Sequence, residues 1–384
     1  MKQGWEIKKL GEVFDLQMGK TPSRDNGDYW GGDNVWVAIS DLQDKYIGES
    51  KEHITDTALT ETKIKKIKAG TTIMSFKLSV GRAAITTQDL YTNEAIMAFN
   101  LNEGYDLIAD YIYYYLKGYK WQGANKVVMG LTLNKASISQ NHIAIPPREE
   151  QERIVTELDC LSGVIEKKRE QLKELDALAQ SIFYTMFGDP ITNEKGWEVK
   201  KFGEVCHKIG DGLHGTPKYD EDGGVAFING NNLIDGKIVI TDRTLFVNDI
   251  EAQKYRIDMD ANTILLSING TLGRTAIFRN ENVILGKSAC YCNINNTFLI
   301  TKFVEHLMNS LSFKGFLEDN SSKSTIKNVG LKAIRGYGII LPPLTLQQEF
   351  ADKIEAIEKQ KELIKKSISE TENLFNARMD YYFN

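Results

Sequence analysis

The sequence predicts an α+β protein built from two similar domains, each followed by one long coiled-coil helix. The first observation is an internal repeat, because GWEIKKLGEV at residues 4–13 returns as GWEVKKFGEV at 196–205. The second is a charged segment at the end of each copy, in which apolar residues recur at alternating spacings of four and three. The period is far longer than the roughly 20–50 residues of solenoid repeats, so a whole domain with its helix is duplicated.

Composition fits a soluble globular protein of two or three domains: the chain has 384 residues, 42% apolar and 26% charged. It lacks the apolar stretch of a membrane span or a signal peptide. Its four cysteines show no disulfide or zinc spacing and fit a cytoplasmic location. Cys290 and Cys292 are expected on one face of a strand as plain thiols.

The repeat continues through both copies and sets the domain boundaries. AGTTIMSFKLSVGRAAI at 69–85 aligns with ANTILLSINGTLGRTAI at 261–277, and IPP at 145–147 matches LPP at 341–343. Short β-branched or aromatic runs between turn residues indicate strands, and DLIADYIYYYLKGY in copy one is a helix-like stretch among them. The predicted parts are two α+β domains and two helices: 1–147, 148–188, 189–343 and 344–384.

The two helices carry the spacing of a coiled-coil seam. In copy one it comprises Ile154, Leu158, Leu161, Ile165, Lys168, Leu172, Leu175, Ala179, Ile182 and Met186. In copy two it comprises Phe350, Ile354, Ile357, Lys361, Ile364, Ile368, Thr371, Phe375, Arg378 and Tyr382. The polar members either set the register of pairing or extend to solvent, and the sequence leaves both open.

Local signals mark the helix ends. Glu149 and Glu150 favour a helix N-terminus, and Gly188 with a following proline ends the first helix. Thr345 and Gln348 have capping-box spacing. The expected arrangement is antiparallel, with internal pseudo-two-fold symmetry and a domain at each end; the alternative is that each helix lies on its own domain.

Charge permits a nucleic-acid partner without requiring one. The net charge is −5, and residues 148–187 and 344–384 carry all of the excess acid. The two domains are balanced and can present a basic face locally.

Polar loops at matching places in the two copies are candidate DNA contacts, because cations reach phosphates while amides and hydroxyls reach base edges. Solvated loops are the plain alternative for any single cluster. Residues 14–60 and 206–252 scarcely align, so the copies are expected to read different sequences. The candidates are Lys20, Thr21, Arg24, Tyr29, Trp30, Lys77, Ser79, Arg82, His214, Thr216, Lys218, Tyr219, Asn229, Asn231, Asn232, Asn269, Thr271 and Arg274.

Motifs for catalysis are missing from the sequence. The Pro-Pro pairs do not form the Asn/Asp-Pro-Pro-aromatic loop of base methyltransferases, and no nucleotide-binding glycine motif occurs. Glu198 and Lys200 follow Asp189 with nuclease-like spacing, but copy one repeats the triplet without an upstream acid. The five histidines lack ligand spacing, so no catalytic or metal site is expected in this chain.

Taken in order, these blocks resemble the specificity subunits of type I restriction-modification systems. The resemblance rests on the GWE repeats, DGLHGTPKY, VGR with LGR, and IPPREEQERI with LPPLTLQQEF. The resemblance implies two target recognition domains that each read half of a split double-stranded DNA site, with the helices fixing the spacer. Copy one departs from the pattern, since QMGKTPSRDNGDYW stands where copy two has DGLHGTPKY.

The resemblance also implies partners and cofactors outside this chain. Two methyltransferase subunits would bring S-adenosylmethionine, and restriction subunits would use ATP and Mg²⁺. The expected coiled-coil and docking residues are Gln151, Ile154, Leu158, Leu161, Ile165, Leu172, Leu175, Gln347, Phe350, Ile354, Ile357, Ile364, Ile368 and Phe375. The alternatives are a stand-alone DNA-modifying enzyme and a protein-interaction scaffold.

Overall fold

The computed structural model describes residues 5–122, 125–127 and 130–384; Gly4, which opens the first repeat, lies outside them. The chain divides into two compact units. Unit one is Met1–Arg169 with Lys365–Asn384, and unit two is Glu170–Ile364. We call the described residues before 148 head one and residues 188–343 head two.

Head one combines small sheets with four short helices. Its elements are β1 (Glu6–Lys9), α1 (Leu10–Val13), β2 (Phe14–Met18), β3 (Trp30–Val37), β4 (Tyr46–Ile47), β5 (Glu52–Ile54), α2 (Asp56–Thr62), β6 (Thr72–Ser75), β7 (Lys77–Leu78), β8 (Ala83–Thr86), β9 (Tyr91–Thr92), β10 (Ile96–Leu101), α3 (Ala109–Gly118), β11 (Asn125–Val127), β12 (Gly130–Thr132), α4 (Lys135–Gln140) and β13 (His142–Ile145). The main sheet has the order β2-β10-β6-β8-β4, and smaller sheets are β5-β3-β9, β11-β12-β7 and β1-β13.

The long helix α5 (Arg148–Phe187) follows head one in the sequence and precedes head two. Head two contains β14 (Glu198–Lys201), β15 (Cys206–Asp211), β16 (Val225–Ile228), β17 (Leu233–Ile234), β18 (Lys237–Ile238), β19 (Leu245–Val247), α6 (Asp249–Gln253), β20 (Thr263–Ser267), β21 (Thr275–Ile277), β22 (Val283–Leu285), β23 (Ala289–Ile294), α7 (Thr301–Asn309), α8 (Leu311–Asp319), α9 (Leu331–Gly336) and β24 (Gly338–Leu341). Its sheets are β15-β23-β20-β21, β19-β16-β22, β17-β18 and β14-β24.

The two heads share one strand plan. The order β2-β10-β6-β8 in head one corresponds to β15-β23-β20-β21 in head two, and β1-β13 corresponds to β14-β24. A parallel pair also recurs, β3 with β9 and β16 with β22. The predicted α+β class and the duplication are therefore confirmed.

Two helices of 40 residues, α5 and α10 (Leu344–Phe383), carry the predicted seam. Every seam residue named from the sequence is buried or half-buried, whereas most of the intervening positions are exposed. The spacing predicts the buried face because residues three and four apart share one side of a helix.

Contacts within each unit show that the helices pair antiparallel. In unit one, Glu157 binds Arg378 and Lys168 binds Ser367. In unit two, Asp176 pairs with Lys361. Partner numbers fall along α10 as they rise along α5, so the pairing expectation is confirmed.

Polar residues in the seam bind across it, which favours the register interpretation. Arg378 donates to Glu157 at 2.9 Å, and Tyr382 donates to the same carboxylate at 2.6 Å. Thr371 is the exception, because its hydroxyl donates to the Ser367 carbonyl of its own helix at 2.7 Å. A shifted register would separate the charged partners, since both belong to one layer of the pair.

The starts and ends of the helices follow the sequence signals with one correction. Glu149 and Glu150 lie in the first turn of α5, and Gly188 ends it at φ +73°. The predicted capping box is wrong, because α10 already begins at Leu344 and Thr345 lies inside its first turn. The Pro343 carbonyl instead accepts the first helical hydrogen bonds, and Gln348 donates to Asp352 at 2.8 Å.

One glutamine fixes each long helix to its head. Gln151 is fully buried, accepts from the Ile108 N–H at 3.0 Å and donates to the Asp106 and Pro146 carbonyls at 2.8 and 2.9 Å.

Head two repeats this arrangement around Gln347, which is also fully buried. It accepts from the Ile300 N–H at 2.8 Å and donates to the Phe298 and Pro342 carbonyls at 3.1 and 2.8 Å. The side chains of Gln151 and Gln347 are therefore not available to contact a partner, and docking at the regions around them stays a prediction.

Each helix ends in a hydrophobic core. Phe183 and Phe187 at the end of α5 are buried with Phe303 and Phe350 in unit two, and His306 stacks on Phe183 with centroids 5.2 Å apart. The end of α10 is buried in unit one, where Met379, Tyr382 and Phe383 join the core of head one. Each unit thus contains one head and a part of both helices.

The four cysteines are free thiols, and Cys290 and Cys292 lie on one face of their strand, as predicted. Cys290 and Cys292 lie buried on β23, and the hydrogen bond between them together with burial raises the pKa of Cys292. Burial raises the pKa of Cys206 to about 12, and Cys160 is exposed. None of the helices in the described chain is both long and apolar enough to cross a membrane.

We expect Gln151→Leu to destabilise unit one by about 2–5 kcal/mol, because it leaves an N–H and two carbonyls without partners. Urea unfolding followed by circular dichroism measures this change. Lys167→Leu is the control, since Lys167 is exposed on the part of the same helix that belongs to unit one. Equal unfolding midpoints for the two variants would show that the buried hydrogen bonds of Gln151 do not stabilise unit one.

The second prediction concerns pH and His306. Burial, with a smaller contribution from Lys302, lowers the pKa of His306 to about 4. The folded state therefore binds this proton less readily than the unfolded chain. The full stability is present above about pH 6.5 and falls by about 3 kcal/mol as pH drops toward 4.

Unfolding of the wild type and of His306→Gln across pH 4–7 isolates this effect. The difference in stability between the two proteins is expected to change over that range, because only the wild type titrates at position 306. A constant difference from pH 7 to 4 would show that His306 is not the group responsible.

Candidate nucleic-acid interface

The VGR block forms a tight loop after β6. The Ser75 N–H donates to the Arg82 carbonyl at 2.8 Å, the Gly81 N–H donates to the Ser75 carbonyl at 3.1 Å, and the Ser75 hydroxyl donates to the Ser79 carbonyl. Leu78 and Gly81 have φ of +64° and +90°. The buried serine therefore closes a loop that needs left-handed backbone at two positions.

The LGR block builds the same loop in head two. The Ser267 N–H donates to the Arg274 carbonyl at 2.8 Å, and its hydroxyl donates to the Thr271 carbonyl at 2.6 Å. The left-handed positions recur at Gly270 and Gly273, with φ of +77° and +81°. Both loops end in an exposed arginine.

A short segment before β10 collects the loops of head one, and we call residues 92–95 the hub of head one. Three loops contact it through backbone hydrogen bonds: the Lys20 N–H donates to the Thr92 carbonyl at 2.8 Å, the Asn93 N–H to the Val37 carbonyl at 3.0 Å, and the Phe76 N–H to the Ala95 carbonyl at 2.9 Å. Loops that are distant in sequence therefore meet at one place.

The hub of head two is residues 285–288, and its contacts correspond one by one. They are the Leu213 N–H to the Leu285 carbonyl at 2.7 Å, the Gly286 N–H to the Ile228 carbonyl at 2.8 Å, and the Ile268 N–H to the Ser288 carbonyl at 3.0 Å. The same set of three backbone hydrogen bonds therefore brings corresponding loops together in both heads.

Close backbone approach to the hub explains one glycine in each copy. A Cβ on Gly19 would lie 2.2 Å from the Thr92 Oγ1 atom, and one on Gly212 would lie 2.1 Å from the Leu285 carbonyl oxygen. Both distances are far below van der Waals contact, so only glycine fits there.

The predicted residues of the first loop cluster together in head one. Arg24 lies over the ring of Trp30 at 3.9 Å and donates to Glu52 at 2.9 Å. Lys20 donates to the Thr62 carbonyl at 2.6 Å, and Tyr29 donates to Glu61 at 2.7 Å. The exposed cations are therefore held by contacts within the head.

Glu94, in the hub, connects this cluster with the VGR loop. The Thr21 hydroxyl donates to its carboxylate. Partial burial opposes ionisation, but this hydrogen bond and the charges of Lys77 and Arg24 hold the pKa of Glu94 below its ordinary value. Lys77 is half-buried, and Ser79 and Arg82 lie on the same loop.

Head two exposes a different set of side chains. His214 lies 2.6 Å from Asp211, and Thr216 and Lys218 are exposed. Tyr219 is 44% exposed and tilts against Phe227.

The LGR loop continues this surface with half-buried Asn269 and exposed Thr271 and Arg274. The Gly270 N–H donates to the Lys327 carbonyl at 2.9 Å, so this loop adjoins residues 320–328.

The three candidate asparagines separate by role. Asn232 is buried and uses its side chain in hydrogen bonds to the Asn229 N–H, the Val239 carbonyl and the Thr244 hydroxyl at 2.9–3.0 Å. It cannot contact DNA in this structure, so its inclusion is corrected. Asn229 caps a 3₁₀ turn by accepting from the Asn231 N–H, whereas the side chain of Asn231 is exposed.

Sequence reasoning missed Glu94, Lys287 and the polar segment 320–328. Lys287 follows Gly286 in the hub of head two, and its N–H donates to the Leu213 carbonyl at 3.0 Å. Aligning YTNEAIMAFNL with ILGKSACYCNI would have paired Glu94 with Lys287, but nothing local marks either residue as part of a site.

The residues that the structure describes contain no group of three or more histidine, cysteine or acidic side chains placed to hold a metal ion. Glu198 pairs with Lys200 at 3.4 Å along β14 as an ordinary exposed ion pair. A recess of about 470 Å³ on the helices of unit one is lined mainly by apolar surface, including Cys160, Leu161 and Leu374.

Solved structures share the fold along the whole chain. A chain described with the complex assembly and conformational transition of the type I R-M system has a TM-score of 0.63 at 19% identity, covering 100% of this chain and 98% of that one. The type I restriction-modification S subunit from M. genitalium has a TM-score of 0.55 at 14% identity, covering 99% and 97%.

Two curated relatives are specificity subunits of type I restriction enzymes. The MjaIX subunit of Methanocaldococcus jannaschii is 27% identical over 279 residues, covering 66% of this chain and 63% of that protein. The HindI subunit of Haemophilus influenzae is 26% identical over 178 residues, covering 44% and 38%. The chain therefore spans less than two thirds of the length of either relative.

Family membership rests on a match that covers both repeats. The sequence model described as type I restriction modification DNA specificity domain matches residues 2–177 and again residues 194–373. The match includes both heads and most of both long helices. The chain therefore belongs to the family of type I restriction modification DNA specificity domains.

Proposed function

We propose that this chain is the DNA-reading subunit of a type I restriction-modification enzyme, and that each head reads one half of a split site. The observation that carries the proposal is the repeated hub, which gathers corresponding loops in both heads while their exposed side chains differ. A constant framework with different loop chemistry suits two readers of two sequences.

Charge supports a division of labour within the chain. Exposed cations on the gathered loops, including Lys20, Arg82, Lys218 and Arg274, suit phosphate contacts that orient the duplex. The exposed residues Thr216 and Asn231 suit base edges. The excess acid lies on the long helices, where it disfavours DNA and suits protein partners.

The helices are proposed to set the spacer between the half-sites and to dock two methyltransferase subunits. The recess beside Leu374 offers an apolar surface for such a contact, whereas Gln151 and Gln347 do not. The methyltransferase subunits would supply S-adenosylmethionine, and restriction subunits would use ATP and Mg²⁺. This chain itself would be non-catalytic.

Co-expression with the co-encoded methyltransferase in a host without adenine methylation tests the reading function. Long-read sequencing is expected to find methylated adenines in one split motif only when both chains are present. Exchanging residues 1–147 for the corresponding domain of a relative is expected to change one half of that motif, because each head gathers its own loops. A change in both halves would contradict separate reading.

Lengthening the helix pair tests the spacer. One heptad inserted after Leu172 and one after Ile364, both half-buried seam positions, adds about 10.5 Å along the pair. The unread spacer is expected to grow by about three base pairs, since ten base pairs span roughly 34 Å. Two seven-residue insertions in exposed loops of the heads serve as the control. An unchanged spacer in the variant with the two heptads would contradict the proposal that the helix pair sets the spacer length.

A further inference from the structure

Glu94 and Lys287 occupy the same position in the two hubs. Each follows a residue whose N–H is anchored to a neighbouring strand, Asn93 in head one and Gly286 in head two. Each precedes a residue whose carbonyl accepts from the loop before VGR or LGR. The backbone therefore presents residues 94 and 287 in equivalent ways, but with opposite charges.

The setting of Glu94 disfavours phosphate as its partner. It is exposed, accepts the Thr21 hydroxyl and lies near Lys77 and Arg24. An ionised carboxylate only accepts hydrogen bonds, and a phosphate repels it. In the major groove the donors are amino groups, and the pairing expected for a carboxylate is the N4 amino group of cytosine.

Lys287 has the opposite chemistry. Its side chain is exposed. An ammonium group has three donors and no acceptor, and on base edges it matches the O6 and N7 acceptors of guanine. The neighbouring loop contributes exposed Thr216 and Lys218, which can contact the DNA phosphates while Lys287 reaches a base.

We propose that these two residues determine base specificity in their respective heads: Glu94 selects cytosine in one half-site, and Lys287 selects guanine in the other. This inference rests on the proposed function, because it requires each head to read DNA. The two half-sites would then differ at one base because the equivalent hub residues, Glu94 and Lys287, carry opposite charges.

Charge reversal at each hub tests the inference. The full chain, co-purified with its methyltransferase, selects duplexes from a randomised DNA library at fixed salt, so that binding is measured without methylation. Glu94→Lys is expected to change one position of one half-site from cytosine to guanine. Lys287→Glu is expected to make the reverse change in the other half-site, each by about ten- to hundredfold in relative binding.

Two further variants make the result decisive. Glu103→Lys is the matched control, because Glu103 is exposed in the turn after the far end of β10 and should leave both half-sites unchanged. Glu94→Gln keeps the side-chain shape and removes the charge, so it should reduce the cytosine preference about ten- to hundredfold. If Glu94→Lys abolishes binding, the result with Glu94→Gln decides.

The outcomes separate the two levels of inference. Absence of sequence selection by the wild-type complex would overturn both the proposed function and this assignment. Normal selection by the wild type that Glu94→Lys, Glu94→Gln and Lys287→Glu all leave unchanged would overturn the assignment alone. A change at Glu94 that alters the half-site governed by Lys287 would do the same.

Discussion

The buried glutamine at the start of each long helix is the interaction on which the architecture depends. Gln151 and Gln347 each satisfy one backbone N–H and two carbonyls at the junction between a head and its helix. Those backbone groups lie where the chain changes from strand to helix, outside the regular hydrogen bonds of either element. Without the amide, one N–H and two carbonyls at each junction would be buried without partners, which costs free energy of folding.

The same glutamines illustrate what the sequence predicts and what it does not. The four-three spacing identifies the buried face of both helices because that pattern depends only on helix geometry. A glutamine near a helix start looks like a surface residue, and only the folded chain brings Ile108 or Ile300 to it. The prediction of a capping box at Thr345 was wrong for a related reason, because the helix begins before Thr345 and the Pro343 carbonyl accepts its first hydrogen bonds.

The candidate site was predictable to the extent that it is local. The VGR and LGR loops follow from repeated glycines and serines, and Gly81 and Gly273 occupy left-handed backbone as such loops require. The hub depends on backbone contacts between segments far apart in the sequence, so no window of residues contains it. Asn232 shows the converse error, because a side chain that suits adenine also suits three internal partners.

Constancy and variation are divided within each head according to what the backbone requires. Gly19 and Gly212 are fixed by close approach, and the serine-closed loops by their hydrogen bonds. Residues 94 and 287 in the hubs are exposed and face no such backbone contact, and the copies hold a carboxylate in one and an ammonium in the other. The heads can therefore change chemistry without refolding.

The burial of Met379, Tyr382 and Phe383 in unit one has a consequence for the order of events during synthesis. Tyr111 meets Phe383 with ring centroids 5.7 Å apart, although about 270 residues separate them. At roughly 5–20 residues per second, the roughly 235 residues between the end of head one and Phe383 take about 12–47 s to be synthesised. During that interval the aromatic residues of head one lack their partners from α10, so the core of unit one is complete only after α10 has been made.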